Sequence, residues 1–307
     1  MALLAIDFGG TRTRAAWFAH DLTLLARAAA PTPSGSPDAV IPALIELGRG
    51  VIPAGERPAA VGVSAPGPRA HTGRILHAPT LPGWHDVPLA DRLAAAFDAP
   101  VYMENDANLA ALAEYRRGAA AGCDPALYLT ISTGIGGGAV LGGRLFTGWR
   151  GLAIEPGHIK FPLPDGRILS LEDLASGTGL GRLARERLAA SPQPSALRDA
   201  AVIDGRAVGA AAAAGDPLAT AVVQEAGRWL GLGLVCLIHL FNPQAIVLGG
   251  SVAQLGDPLL DPARQMIARC LTDPAFNHPD LLRPAQLGDD VCLVGAALYA
   301  LDMLAAS

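Results

Sequence analysis

Asp7-Phe8-Gly9-Gly10-Thr11 sets a carboxylate, two glycines and a hydroxyl between two apolar runs, Leu3–Ile6 and Ala15–Phe18. Glycines can take positive φ and let backbone N–H groups approach a phosphate, and Thr11 adds a hydroxyl donor. Asp7, at the end of the first run, suits a hydrated divalent cation beside such phosphates. The same residues also make an ordinary hairpin turn. Asn105-Asp106 stands where an apolar run gives way to a helical one. There Asp106 can accept a proton from a hydroxyl attacking phosphorus, while either residue can equally cap the helix. Glu155-Pro156-Gly157-His158 and Glu172 add two carboxylates and an imidazole. Taken singly, Glu172 reads as an acidic helix start and His158 as a satisfied histidine. Taken together, Asn105, Asp106, Glu155, His158 and Glu172 supply the several acceptors and the donor that a polyhydroxylated ligand requires.

Several other chemistries are excluded by residue type. Lys160 is the only lysine and follows Ile159, so the chain has no GxxxxGK[ST] phosphate loop. Ser64 is followed by Ala65-Pro66, where a nucleophile elbow needs glycine at the second position, so a serine hydrolase is rejected. Gly134-x-Gly136-x-x-Ala139 leads into strand-like residues rather than a helix, and Gly179-x-Gly181-x-x-Ala184 has no strand before it, so neither is a dinucleotide fingerprint. Cys123, Cys236, Cys270 and Cys292 are too widely spaced for a cysteine zinc site and read as reduced thiols. The net charge of -5 gives no reason to expect nucleic acid or an anionic membrane as partner. The apolar N-terminal run has no basic residues before it and is broken at Asp7. We therefore expect neither signal peptide nor transmembrane span, and a cytoplasmic protein.

The elements that must position these residues follow from periodicity. Leu3–Phe18 reads as a hairpin with a glycine tip, and Asp21–Ala26 as a third antiparallel strand. A helix over 38–51, a strand over 59–64, a helix over 87–97, a strand over 100–104 and a helix through Arg117 give a mixed sheet with helices, an α/β unit. The strand, glycine turn and strand then recur at Leu127–Leu141, which suggests two domains of related design and a cleft between them as the ligand site. Helices dominate afterwards, over 171–175, 180–189, 196–202, 217–241, 258–271 and 294–304, with one clear strand at 244–251.

Six motifs occur in the order found in ROK-family sugar kinases: Asp7-Phe8-Gly9-Gly10-Thr11, Glu104-Asn105-Asp106-Ala107-Asn108, Ser132-Thr133-Gly134-Ile135-Gly136-Gly137-Gly138, Glu155-Pro156-Gly157-His158, Leu171-Glu172-Asp173-Leu174-Ala175-Ser176-Gly177 and Leu248-Gly249-Gly250-Ser251. The chain resembles that family from end to end, and among its members the glucokinases most. The resemblance implies the actin-like ATPase (hexokinase/RNase H-like) fold, two α/β domains around a cleft. The expected division is 1–106 and 107–293, with a terminal helix over 294–307 packing back on the first domain. It also implies ATP and Mg²⁺ as cofactors and a hexose, glucose above all, phosphorylated at its 6-hydroxyl with Asp106 as general base. Asn105, Glu155, His158 and Glu172 would bind the other hydroxyls, with the Pro66-Gly67 loop nearby. Asp7, Gly9, Gly10, Thr11, Thr133 and Gly134 would hold phosphates and Mg²⁺, the metal reaching Asp7 through water. Gly249 and Gly250 would lie against the nucleoside, and relatives suggest a homodimer.

Two departures from the family pattern shape these expectations. Residues 159–171 contain no cysteine where many relatives carry CxCGxxGC, so no zinc site is expected and His158 is left to bond the sugar. Packing of Phe161, Ile168 and Leu169 must hold that loop instead. Ile154 also stands where a small residue is usual, which touches the shape of the sugar pocket. A sugar-responsive regulator of the same family is the alternative. It would need a DNA-binding segment ahead of the first hairpin, and the chain starts in that hairpin. A sugar-binding protein without catalysis and an actin-like ATPase also stay open, as do mannose, fructose, an N-acetylated amino sugar and polyphosphate as donor.

Overall fold

Alternation at a period of two makes the first strand a two-faced element: Leu4, Ile6 and Phe8 enter one core while Leu3 and Ala5 enter another. The computed structural model describes residues 1–65, 69–70, 73–77 and 83–306, with the backbone alone at 69–70 and 77. In chain order the elements are β1 (Ala2–Phe8), β2 (Arg12–Ala19), β3 (Leu24–Pro31), α1 (Pro37–Arg49), β4 (Ala60–Ala65), β5 (Arg69–Ala70), β6 (Arg74–His77), β7 (His85–Val87), α2 (Leu89–Phe97), β8 (Val101–Asn105) and α3 (Asp106–Arg117). There follow β9 (Ala126–Ile131), β10 (Ile135–Leu141), β11 (Arg144–Leu145), β12 (Lys160–Pro162), β13 (Ile168–Ser170), α4 (Leu171–Ala175), α5 (Gly177–Ala190), α6 (Gly205–Ala213), α7 (Pro217–Phe241), β14 (Ala245–Gly249), α8 (Asp257–Cys270), β15 (Leu282–Pro284) and α9 (Val291–Ala306).

The chain divides into two compact units. The first comprises Met1–Ala121, Arg144–Ala153 and Gln286–Ser307. The expected border after Asp106 falls inside this unit, which keeps α3 with β8. Its main sheet has the order β3-β2-β1-β4-β8. Strands β1, β2 and β3 are antiparallel, and β4 and β8 run parallel to β1. One face packs Phe8, Trp17, Ile41, Leu44 and Trp84, the rings of Phe8 and Trp84 lying 4.8 Å apart. The other face is covered by α9 through Leu293, Ala296, Ala297 and Ala300. Backbone contact closes this second layer. A Cβ added at Gly62 of β4 would sit 1.9 Å from the Ala296 carbonyl oxygen, and one at Gly295 would sit 2.1 Å from that of Leu109 on α3.

The second unit comprises Gly122–Gly143 and Ile154–Ala285. It carries β10, β9, β14 and β15 side by side, β10 antiparallel to β9 and the rest parallel, the arrangement of β2, β1, β4 and β8 repeated. Its core takes Leu127, Leu129 and Ile131 from β9, Ile246 and Leu248 from β14, and Leu230, Leu234 and Ile238 from α7. Helix α7 is long and apolar enough to cross a membrane, but its Val222, Val223, Ala226 and Leu230 are buried in this core.

Three expectations change here. The third strand begins at Leu24 rather than Asp21, because Asp21 accepts the Thr23 N–H at 2.9 Å and Leu22 adopts φ 67, closing a turn over those residues. The helix expected over 196–202 is a single 3-10 turn, Ala196–Asp199, whose first N–H goes to Asp216. Helix α6 was not anticipated, and Asp204 caps it by accepting the Ala207 N–H at 2.8 Å.

Candidate active site

In the first unit, the candidate residues collect at the ends of β1 and β8. Strand register aligns Arg14, Asp7, Ser64 and Glu104 in one row across β2, β1, β4 and β8, so their side chains share a face. Asp7 is 6% exposed, and its Oδ2 accepts two hydrogen bonds from Arg14, at 2.6 Å from Nη2 and 2.9 Å from Nε. Arg14 Nη1 also donates to the Asp289 carbonyl, which ties this corner to the entry of α9. Beyond Asp7 the turn is braced by Thr32. Its hydroxyl donates to the Gly9 carbonyl at 2.6 Å, and its N–H donates to that of Thr11 at 2.9 Å. Gly9 and Gly10 are not among the positive-φ glycines of the described residues, contrary to the expected reason for them. Gly9 is needed for space, since its Cβ would lie 2.8 Å from the Arg12 carbonyl.

At the end of β8 the capping question divides between neighbours. Asn105 is the N-cap of α3, its Oδ1 accepting the Ala107 and Asn108 N–H groups at 2.8 and 3.4 Å. Buried Glu104 fixes Asn105 and Asn108 by accepting the Asn105 N–H at 2.7 Å and the Asn108 amide at 3.0 Å. Asp106 is therefore the first residue of the helix rather than its cap. Its side chain is exposed, with Oδ1 2.8 Å from the Ala107 N–H. The Cys292 sulfur approaches the Asp106 carbonyl at 3.7 Å. Burial, then the Asp7 and Asp106 carboxylates, push that thiol well above the usual range. Gly67, expected nearby, lies outside the described residues.

In the second unit, the other candidates gather around the β9–β10 turn. The Ser132 carbonyl accepts the Gly177 N–H at 2.7 Å, and the Thr133 carbonyl accepts the Thr178 N–H and hydroxyl at 3.2 and 2.8 Å. Helix α5 thus begins by fastening this corner. Glu172, on α4, accepts the Ile135 N–H at 2.8 Å, and a Cβ at Gly134 would meet its Oε2 at 2.3 Å. The Glu155–His158 turn lies against the same strand, where a Cβ at Gly157 would sit 2.2 Å from the Ile135 carbonyl. Glu155 and His158 are exposed beside these contacts. Ile154 holds φ 64, a left-handed conformation rare for a β-branched residue, with its side chain packed against the core.

The loop after His158 is a small hairpin, β12 with β13, pairing Phe161 with Leu169 and Pro162 with Ile168. Phe161 packs on Trp229 with ring centroids 5.6 Å apart. Ile168, expected to help hold the loop, is 66% exposed because register turns it to the opposite face. A capping box between Ser170 and Asp173 anchors the start of α4.

A cavity of ≈ 630 Å³ opens beside the second corner, lined by Ser132, Thr133, Thr178, Ile203, Arg206, Val252 and Leu255 among others. The N-termini of α5 and α6 meet at its wall, a Cβ at Gly205 falling 2.5 Å from the Gly177 Cα. Gly249 and Gly250 stand at the end of β14 just before Ser251, where the lining begins. They hold that end against the Tyr128 hydroxyl and the Ile131 carbonyl, leaving no room for a Cβ. Sequence reasoning missed Arg14, Thr32, Asp204 and Arg206. Asp204-Gly205, a capping residue before an alanine-rich run, was the one available signal.

For a divalent cation, Asp7 offers the hard carboxylate oxygen that Mg²⁺ prefers. Because Oδ2 is already bound to a guanidinium, the site fits a cation held through water and shared with phosphates rather than one caged by protein.

A mixed sheet with a glycine-cornered first hairpin, built twice and flanked by helices, defines the class: the actin-like ATPase fold of sugar kinases. Residues 3–303 match the ROK family, and the chain belongs to it. Similar proteins include a glucokinase of Streptomyces coelicolor, 34% identical over 307 residues covering 96% of each sequence. The crystal structure of a ROK hexokinase from Thermus thermophilus superposes with a TM-score of 0.81 at 36% identity, covering 100% of both chains. A ROK-family glucokinase from Streptomyces griseus, in complex with glucose and AMPPNP, gives a TM-score of 0.80 at 34% identity, covering 98% of this chain and 100% of that one.

Proposed function

We propose that the chain is a phosphotransferase of the hexokinase/glucokinase type, moving the γ-phosphoryl group of ATP to the 6-hydroxyl of a hexose, with glucose the foremost acceptor. The observation that carries this reading is the ≈ 630 Å³ cavity. Its polar side is the Ser132–Thr133 corner, and its apolar side includes Ile203, Val252 and Leu255. A nucleotide has an apolar base and an anionic chain to match the two sides, whereas polyphosphate has no part that needs an apolar wall. Two helix N-termini at that wall favour negative charge. The S. griseus glucokinase complex with glucose and AMPPNP supports the same pair of ligands.

In this reading Asp106 takes the proton of the 6-hydroxyl as its oxygen attacks phosphorus. Asn105, Glu155, His158 and Glu172 match the remaining hydroxyls, with Gly67 beside them. Gly9, Gly10, Thr11, Thr133 and Gly134 receive phosphate oxygens, and Gly249 and Gly250 shape the nucleoside end. Mg²⁺, held through water by Asp7, would neutralise charge on the β- and γ-phosphates. Since phosphoryl transfer asks mostly for alignment and charge compensation, the rate depends on these residues holding both substrates still and keeping water out. Four free, widely spaced cysteines agree with a cytoplasmic setting.

The test is ADP release measured across a panel of hexoses and N-acetylated amino sugars, in parallel with polyphosphate consumption. Sugar-dependent ADP release is expected, fastest with glucose. Sugar-independent release would make the chain an ATPase, and no release with any sugar would make it a binder.

A further inference from the structure

Ile135 is held from two directions by segments assigned to sugar recognition. Its N–H donates to the Glu172 carboxylate at 2.8 Å, and its carbonyl is covered by Gly157 of the Glu155–His158 turn so closely that no Cβ would fit. Ile135 is also the first residue of β10, directly after the Ser132–Gly134 corner assigned to phosphate. That corner is braced on several sides. The Ser132 N–H donates to the Gly134 carbonyl at 2.9 Å, the outward carbonyls of Ser132 and Thr133 are taken by α5, and the remaining side is the Glu172 carboxylate against Gly134. Glu172 is itself fixed, because Ser170 and Asp173 box the start of α4 and the Ser176 N–H donates to the Glu172 carbonyl at 3.1 Å.

We infer that Glu172 is a positioning residue for the phosphate corner as well as a ligand for sugar, so that sugar binding and nucleotide binding are coupled through the Glu172–Ile135 hydrogen bond. This rests on the kinase reading above. One carboxylate oxygen orders the turn whose neighbours face phosphate, and the same group meets a sugar hydroxyl. A sugar that holds Glu172 in this rotamer stabilises the corner, and a nucleotide that orders the corner holds Glu172 ready for sugar. Linkage makes the two effects equal in free energy.

The inference is tested on the full chain with AMPPNP and Mg²⁺ by calorimetry, without any sugar. Wild type binds. Glu172→Ala is expected to bind the analogue at least about fivefold more weakly, since Ile135 loses a charged acceptor. Glu172→Gln, which keeps an acceptor oxygen, is expected within about twofold of wild type while its sugar KM still rises. Should the alanine variant not fold, Glu172→Asp, one methylene short of Ile135, carries the same expectation. If sugar-free AMPPNP affinity is the same in Glu172→Ala or Glu172→Asp as in wild type, Glu172 is a sugar ligand only and the inference falls while the kinase reading stands. If wild type binds no AMPPNP and releases no ADP with any sugar, the kinase reading falls and takes the inference with it.

Discussion

Arg14 and Asp7 stand opposite each other in the β1–β2 ladder, and the guanidinium gives two hydrogen bonds to a single carboxylate oxygen, Asp7 Oδ2. With its side chain 8% exposed, Asp7 depends on that partner. Arg14→Ala should destabilise the protein by about 3 kcal/mol, mostly through the unpaired buried carboxylate. Chemical denaturation measures this, and Asp7→Asn in the Arg14→Ala background should recover part of the loss.

Asn105 and Asp106 can be separated by experiment although they are adjacent. Asn105 carries the N-cap of α3, so Asn105→Ala should cost about 1 kcal/mol of stability. Asp106→Ala should leave stability within about 0.5 kcal/mol, because the cap stays in place. Its kcat should nonetheless fall by about 10²–10⁴-fold if Asp106 acts as the general base we propose. Equal melting temperatures for the two variants would contradict the division.

Much of this was legible in the chain and some was not, for physical reasons. Both hairpins and the Asn105-Asp106 junction are local features, with strand alternation, glycine corners and a capping residue all visible in sequence. Glu172 reads locally as an acidic helix start, yet its partner is a backbone N–H 37 residues away, which leaves no mark on residue type. Phe161 and Ile168 look alike as loop anchors, and only the hairpin register sends one to Trp229 and the other to solvent. Helix α6 is a nine-residue run of mostly alanine and glycine, with Val208 its one large apolar side chain, and β15 is three residues ending in proline.

Gly62 tests how α9 seats on the first sheet. A methyl there would lie 1.9 Å from the Ala296 carbonyl, and backbone cannot yield as a side-chain tip does. Gly62→Ala should therefore cost about 3 kcal/mol or more. Thermal unfolding reads the loss, and a fall under about 1 kcal/mol would contradict close packing at that point.

Asp173 gives a pH dependence with a definite sign. Hydrogen bonds from the Ser170 hydroxyl, then from its backbone N–H, hold the Asp173 carboxyl below its usual range. A carboxyl depressed in the folded state contributes stability that is complete above about pH 4 and is lost as pH falls through the folded value. Asp173→Ala should thus cost about 1 kcal/mol at pH 7 and progressively less below pH 4, read from denaturation midpoints across pH. A pH-independent difference would contradict the capping-box account.

The central claim is that the γ-phosphoryl group passes from ATP to a hexose hydroxyl with Asp106 as base. Phosphorus NMR of a reaction containing the full chain, ATP, Mg²⁺ and glucose follows that group to its destination. The account predicts a phosphate monoester at the 6-position of glucose, formed one for one with ADP by wild type and lost in Asp106→Ala. Inorganic phosphate as the sole new signal, or ester formation undiminished in Asp106→Ala, would contradict it.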